Sequence, residues 1–226
     1  MLSEAWGLYK RHWKHLLLIA FVVYAGVAVI QALLALVLVD WLAGLIGVLI
    51  SLIATFWLQA ALVKAVEDVR DGRADLTLTE TFARMWPRVG AVAVASILAL
   101  LGIALGLILL VVPGLVLITW WVLIVPVIVL ENASSADSFG RSRELVRGYG
   151  WNVFGVIVLT VLLLIAVSIV LSLILLGIGN DAVRNFISRI LSGTLTAPFI
   201  ACAWTLLYFR LRDVKVGVSA PAPELA

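Results

Sequence analysis

The chain has 226 residues, of which 64% are apolar and 13% charged, with a mean hydropathy of +1.20, whereas soluble domains run nearer about 45–50% apolar and about 25% charged. A water-soluble globule of this length has to show much polar surface to solvent, so the composition excludes one and points to an integral membrane protein. The net charge is only +3, and the single cysteine, Cys202, lies in an apolar stretch. Neither a disulfide framework nor a cysteine-rich metal site is expected.

The first segment places Leu2, Trp6, Tyr9 and Trp13 on one helical face, with Lys10, Arg11 and Lys14 toward the other. A basic helix with aromatics on its opposite face lies in the headgroup plane. His12 and His15 stand three apart here without a third ligand, so no zinc site is expected. The apolar run 16–39 follows. It exceeds the about 7–15 residues of a signal-peptide core and has no convincing small-residue cleavage site after it, so it reads as a retained span. A second span covers 42–64, with Gly47 and Ser51 as a small-xxx-small pair. Gln31 and Gln59 are the only long polar side chains within spans. Each is expected to hydrogen-bond a neighbouring helix; lining a transport path is the alternative.

The polar stretch before residue 89 repeats the opening pattern. Leu78, Phe82 and Met85 share a face, and Thr77 to Glu80 has the capping-box spacing. The charge-free run 89–130 that follows is 42 residues long. One helix of that length would reach about 63 Å, twice the about 30 Å of a hydrocarbon core, so Pro113-Gly114 is expected to turn it into a hairpin with spans at 89–112 and 114–131. Gly102 and Gly106 form a GxxxG, and Ala91, Ala95 and Ala99 a small-residue row, both marking packing faces within the chain. Trp120 and Trp121 fall near the middle of span four, where an interfacial belt does not place them. At least one is expected to pack on another helix; stacking on a ligand is the alternative. Pro126, like Pro198 in span six, predicts a kink that frees backbone carbonyls, with or without a cargo to use them.

Ser134 and Asp137 then signal a third short helix, with Phe139 entering and an apolar face interrupted by Ser142 and Arg143. The densest chemistry lies here: Glu131, Arg141, Arg143, Glu144 and Arg147, ahead of Trp151. Solvated flanking charges would look the same. The sharper hypothesis is that Arg141, Arg143 and Arg147 hold an anionic lipid headgroup, because guanidinium forks match phosphate. Spans five and six cover 152–176 and 191–210, and residues 216–226 read as a disordered tail behind a single membrane domain of residues 1–215.

Orientation follows from the basic residues. Fourteen of the sixteen Lys and Arg fall on the side that holds both termini and the 65–88 and 132–151 loops, leaving Arg184 and Arg189 on the other. The positive-inside rule makes the first side cytoplasmic. The three short helices, each followed by two spans, suggest three repeated units, although ordinary basic and aromatic flanks would give similar matches. No ionisable group lies near a midplane, as ion-coupled transporters need. No phosphate loop, nucleophile elbow or paired-carboxylate arrangement is present.

Pro113-Gly114, Pro126, Glu131, the string RSRELVRG from Arg141 to Gly148, Trp151, Phe154-Gly155, Pro198, Tyr208 and Arg212 together resemble the membrane-domain family of glycerophosphoryl diester phosphodiesterases, most clearly over 113–217. In that family the membrane region can be fused to a soluble hydrolytic domain with metal-binding carboxylates and histidines. The resemblance therefore implies a membrane module and not a hydrolase: only 14 residues follow Arg212, and no catalytic residue of the family has a counterpart.

The expectation is thus an all-α polytopic membrane protein with six spans and short cytoplasmic amphipathic helices, in the bacterial cytoplasmic membrane. It is expected to be non-enzymatic, without cofactors, and lipid-associated or scaffolding. Its partners would be membrane lipids, another membrane protein or a second copy, and no nucleic acid. A small permease for an apolar or lipid-like substrate is the alternative, and a membrane-embedded lipid enzyme using Glu131 the less favoured third.

Overall fold

Each long apolar run becomes a helix, because a chain without water around it must satisfy every backbone donor and acceptor within its own segment. The computed structural model describes residues 2–37, 39–70, 78–177 and 179–217. It contains eight helices among them: α1 (Leu2–Val37), α2 (Asp40–Arg70), α3 (Leu78–Leu109), α4 (Val111–Trp121), α5 (Ile124–Glu131), α6 (Ser135–Val146), α7 (Gly150–Ile174) and α8 (Asp181–Val216). A single 3-10 turn, Leu175–Gly177, ends α7. Six stretches are long and apolar enough to cross a membrane, with α4 and α5 together making the fourth. The expected tail lies largely outside the described residues.

The helix α2 sits at the centre, against α1, α3, α5 and α8. Its stretch Leu58, Ala60 to Val63, Ala65 and Val66 is almost wholly buried, so apolar residues occupy every side of it. The pair α1 and α8 closes one flank, and α3 with α4 the other. Only the first half of α7 is packed, through Val153, Ile157 and Thr160 against α8 and α4.

Of the three expected short helices, α6 alone is separate. The first segment is continuous with α1 through a kink at His12 (φ −120°, ψ 22°). It is docked on α8: Ala5 and Tyr9 are buried, Trp6 stacks on Tyr9 at 5.7 Å, and both rings meet Phe199 edge-on. Tyr9 donates to the Leu195 carbonyl (3.4 Å), next to Thr194, whose carbonyl Pro198 leaves without its helical donor. The second segment is the first turns of α3, which runs on through Pro87. The side chains of Leu78 and Phe82 lie outside those described.

The hairpin turns three residues earlier than the proline suggests. Leu110, extended at φ −159° and ψ 138°, is the sole residue between α3 and α4. Pro113 sits in the first turn of α4, where its missing N–H would have no partner anyway. Gly114 serves packing, not turning. A Cβ there would lie 2.4 Å from Leu107 Cδ2 and 2.8 Å from the Leu107 backbone nitrogen. Across the same interface, Gly106 faces the Gly114 backbone, and Gly102 faces the ring of Trp121.

Candidate functional site

Span four is broken. The helix leaves its path at Val122 and Leu123 and restarts as α5, whose third residue is Pro126. The pyrrolidine ring excludes the carbonyl four residues back, that of Val122, and supplies no donor to it. A single side chain bridges two other backbone groups at the break. Ser142, on α6 and wholly buried, accepts the Leu123 N–H (3.3 Å) and donates to the Trp120 carbonyl (2.6 Å). The hydroxyl thereby replaces partners that an unbroken helix would have provided.

To deliver Ser142 there, α6 has to fold back along α5. Asn132 in the left-handed region (φ 58°) ends α5. Ser134 caps α6 by accepting the Asp137 N–H (3.2 Å), and its own hydroxyl donates to the Asp137 carboxylate (2.6 Å). Ser135 donates to the Ala91 carbonyl on α3 (2.9 Å). The buried face of α6 is Ser138, Ser142, Leu145 and Val146, at helical spacing. Ser142, which interrupts an apolar face by composition, is part of the buried face once its hydroxyl is paired.

Glu131 closes the loop at the end of α5. Its carboxylate accepts from Arg141 Nε (2.9 and 3.2 Å) and from the Tyr208 hydroxyl (2.8 Å), which ties α5 to α6 and α8. Arg141 also donates to Glu144 (3.0 Å). Its hydrogen bond to Glu131 raises a guanidinium pKa that is already high, against the opposing effect of burial, so Arg141 is always charged. Beyond Tyr208, Arg212 lies 4.9 Å over the ring of Phe209, Arg70 lies 3.8 Å over the same ring, and Arg70 and Asp213 approach to 3.8 Å.

The three arginines of the expected headgroup site therefore separate. Arg141 is held inward by two carboxylates. Arg143 and Arg147 are exposed, and neither has an ion-pair partner among the described residues. Arg143 instead lies 4.3 Å over the ring of Trp120, an attraction between cation and π-face, so a charged side chain does stand beside the middle of the fourth apolar stretch, where none was expected, because α6 folds back along α5. Trp121 packs edge-on against Phe139 at 5.0 Å. Both tryptophans are thus engaged by α6.

No family model, curated protein or solved structure matches the chain. The site has to be read from its own geometry.

Clefts lie between the helices. One, of about 780 Å³, runs between α4 and α7 and is lined by Val112, Leu115, Val116, Thr119 and Trp120 on one side and Gly148 to Asn152 with Phe154 on the other. Another, of about 450 Å³ between α1, α2 and α8, carries Tyr24, Gln31, Ser51, Thr55, Ser188 and Ser192. There Gln31 donates to the Gly47 carbonyl (3.1 Å) and to Ser51 (2.6 Å), pinning α1 to α2. Gln59 and Trp120 do not line that second cleft. Gln59 is half-buried on α2 and makes no hydrogen bond to a described residue.

The Glu131 carboxylate accepts from an arginine and a phenol and so joins α5 to α6 and α8. No group of three His, Cys, Asp or Glu that could hold a metal ion occurs among the described residues. Ser142 and Tyr208 are the site residues that sequence reasoning passes over. The available signals were a serine three residues from Phe139 on a helix of serines, and a tyrosine four residues before Arg212.

Proposed function

We propose that this protein is a non-catalytic module of the bacterial cytoplasmic membrane that associates with anionic phospholipid at its basic, cytoplasmic end. The observation that carries the reading is the pair Arg143 and Arg147. Both are exposed on a helix folded against a membrane-spanning bundle, with Arg143 oriented by Trp120 and no carboxylate paired to either. An arginine fork without a carboxylate partner, on a helix packed against an apolar bundle, matches a lipid phosphate. The partition of basic residues supports the orientation, and the resemblance of residues 113–217 to phosphodiesterase membrane domains agrees with a membrane module.

The test is lipid analysis after mild detergent extraction. Anionic phospholipid should be enriched over the bulk membrane, and Arg143→Ala with Arg147→Ala should lower that enrichment several-fold, whereas Arg141→Ala should act mainly on stability. Unchanged anionic-lipid content in the double variant would overturn the reading. A small permease is the second reading, favoured by one observation: the hydroxyl-lined cleft around Gln31. Uptake or release of solutes by vesicles carrying the purified protein would support it.

A further inference from the structure

The two unpaired arginines do not lie on an open shelf. Because α6 folds back along α5, Arg143 stands beside the break in span four, on the ring of Trp120, and Trp120 is also a wall of the cleft between α4 and α7. Arg147 immediately precedes Gly148, which lines the same cleft. Gly148 adopts φ 93°, a left-handed backbone that lets the chain reverse from α6 into α7 within three residues. One end of the cleft is polar, with Thr119, Tyr149 and Asn152 in its lining, and the two arginines adjoin that end through Trp120 and Gly148. The other end is apolar, walled by Val112, Leu115 and Val116 of α4 and Phe154 of α7. The first residues of α7, Gly150 to Asn152, line the polar end, and the helix start carries no side-chain cap.

A cleft with two cations beside its polar end and aliphatic walls at the other has the polarity of one lipid molecule. We propose that the α4–α7 cleft is a discrete site for a single anionic phospholipid, its phosphate held by Arg143 and Arg147 and one acyl chain lying along Leu115, Val116 and Phe154. The proposal rests on the lipid-associated reading above and sharpens it from a charged surface to a stoichiometric site. Zwitterionic lipid is disfavoured by the two unneutralised arginines. A free phosphate or a glycerol phosphate would satisfy them but leave the apolar wall uncovered. The volume, about 780 Å³, falls within the about 300–1,000 Å³ of small-molecule sites.

The experiment is native mass spectrometry of the delipidated full chain titrated with phosphatidylglycerol, phosphatidylcholine, glycerol phosphate and single-chain phosphatidylglycerols of 8 to 16 carbons. One phosphatidylglycerol per chain should bind at least tenfold tighter than phosphatidylcholine, binding should strengthen with chain length, and glycerol phosphate should not compete. Leu115→Trp fills the cleft at a position already partly exposed, and should weaken the one-lipid complex about tenfold while leaving looser adsorption of further anionic lipids. Helical content and elution volume check that the variant folds, and the chain-length series on the unmodified protein does not depend on it. Equal binding of phosphatidylcholine overturns the anionic-lipid reading altogether. Anionic preference that is lost in Arg143→Ala/Arg147→Ala, but is indifferent to Leu115→Trp and to chain length, overturns the cleft and leaves the broader reading standing.

Discussion

Ser142 is wholly buried, yet both of its hydrogen bonds go to backbone groups that span four orphans at its own break. Removing a hydroxyl that satisfies buried donors and acceptors leaves each with its desolvation penalty, about 1–3 kcal/mol. Ser142→Ala should therefore lower the thermal midpoint in detergent well below that of Ser172→Ala, whose hydroxyl only back-bonds to Ser168 on an exposed helix face. Equal midpoints would mean that the repair is not needed. The Glu131 carboxylate offers a second comparison. Tyr208→Phe deletes one neutral donor and should cost about 1 kcal/mol. Glu131→Gln weakens a charged pair, and because both partners are part-exposed the cost should be about 1–2 kcal/mol after solvent screening. Denaturant unfolding of both single variants and the double variant should give less than the sum, since Arg141 and Tyr208 share one acceptor. The cluster of Glu131 with Arg141 is visible along the chain because the two are ten residues apart. Tyr208 is 77 residues from Glu131, and nothing in local spacing joins them.

At the scale of elements, hydrophobic runs located all six helical stretches long and apolar enough to cross a membrane, because length and apolarity are local properties. Their ends were less legible. Pro113 marked the hairpin but not its turning residue, since proline is equally at home in the first turn of the helix that follows. The role of Gly114 depends on Leu107 across the hairpin, which no single-strand pattern encodes. Gly114→Ala should destabilise the protein by about 1–3 kcal/mol through overpacking. Gly140→Ala is the control: nothing lies within 4 Å of that Cβ, on the exposed side of α6, so it should be neutral or stabilising by up to about 1 kcal/mol. Thermal unfolding of the two variants side by side decides this; a Gly114→Ala protein as stable as the parent would put the hairpin interface in doubt. The short helices show the same limit. Amphipathic spacing and a capping serine announced α6, but whether such a helix floats, docks or merges with the next span depends on what it meets.

For the whole molecule, the single thiol gives a clean topology test. Cys202 is wholly buried and should stay silent to a membrane-impermeant maleimide in the native protein. Cysteines placed at the exposed positions Asp137 and Asn180 should then label from opposite sides: Asp137→Cys only after the cytoplasmic face is opened, Asn180→Cys in intact cells. The reverse pattern would invert the proposed orientation. Composition and charge-free runs were enough to set out an all-helical chain with six helical stretches long and apolar enough to cross a membrane, because apolarity and length are read residue by residue. The tertiary structure decided which of the clustered charges is spent. Arg141 is neutralised by Glu131, while Arg143 and Arg147 are left without a carboxylate, Arg143 on the ring of Trp120 and Arg147 next to Gly148, two residues that line a cleft. That distinction turns on a helix folding back into a proline-made break, and a contact of that kind exists only once distant segments have packed.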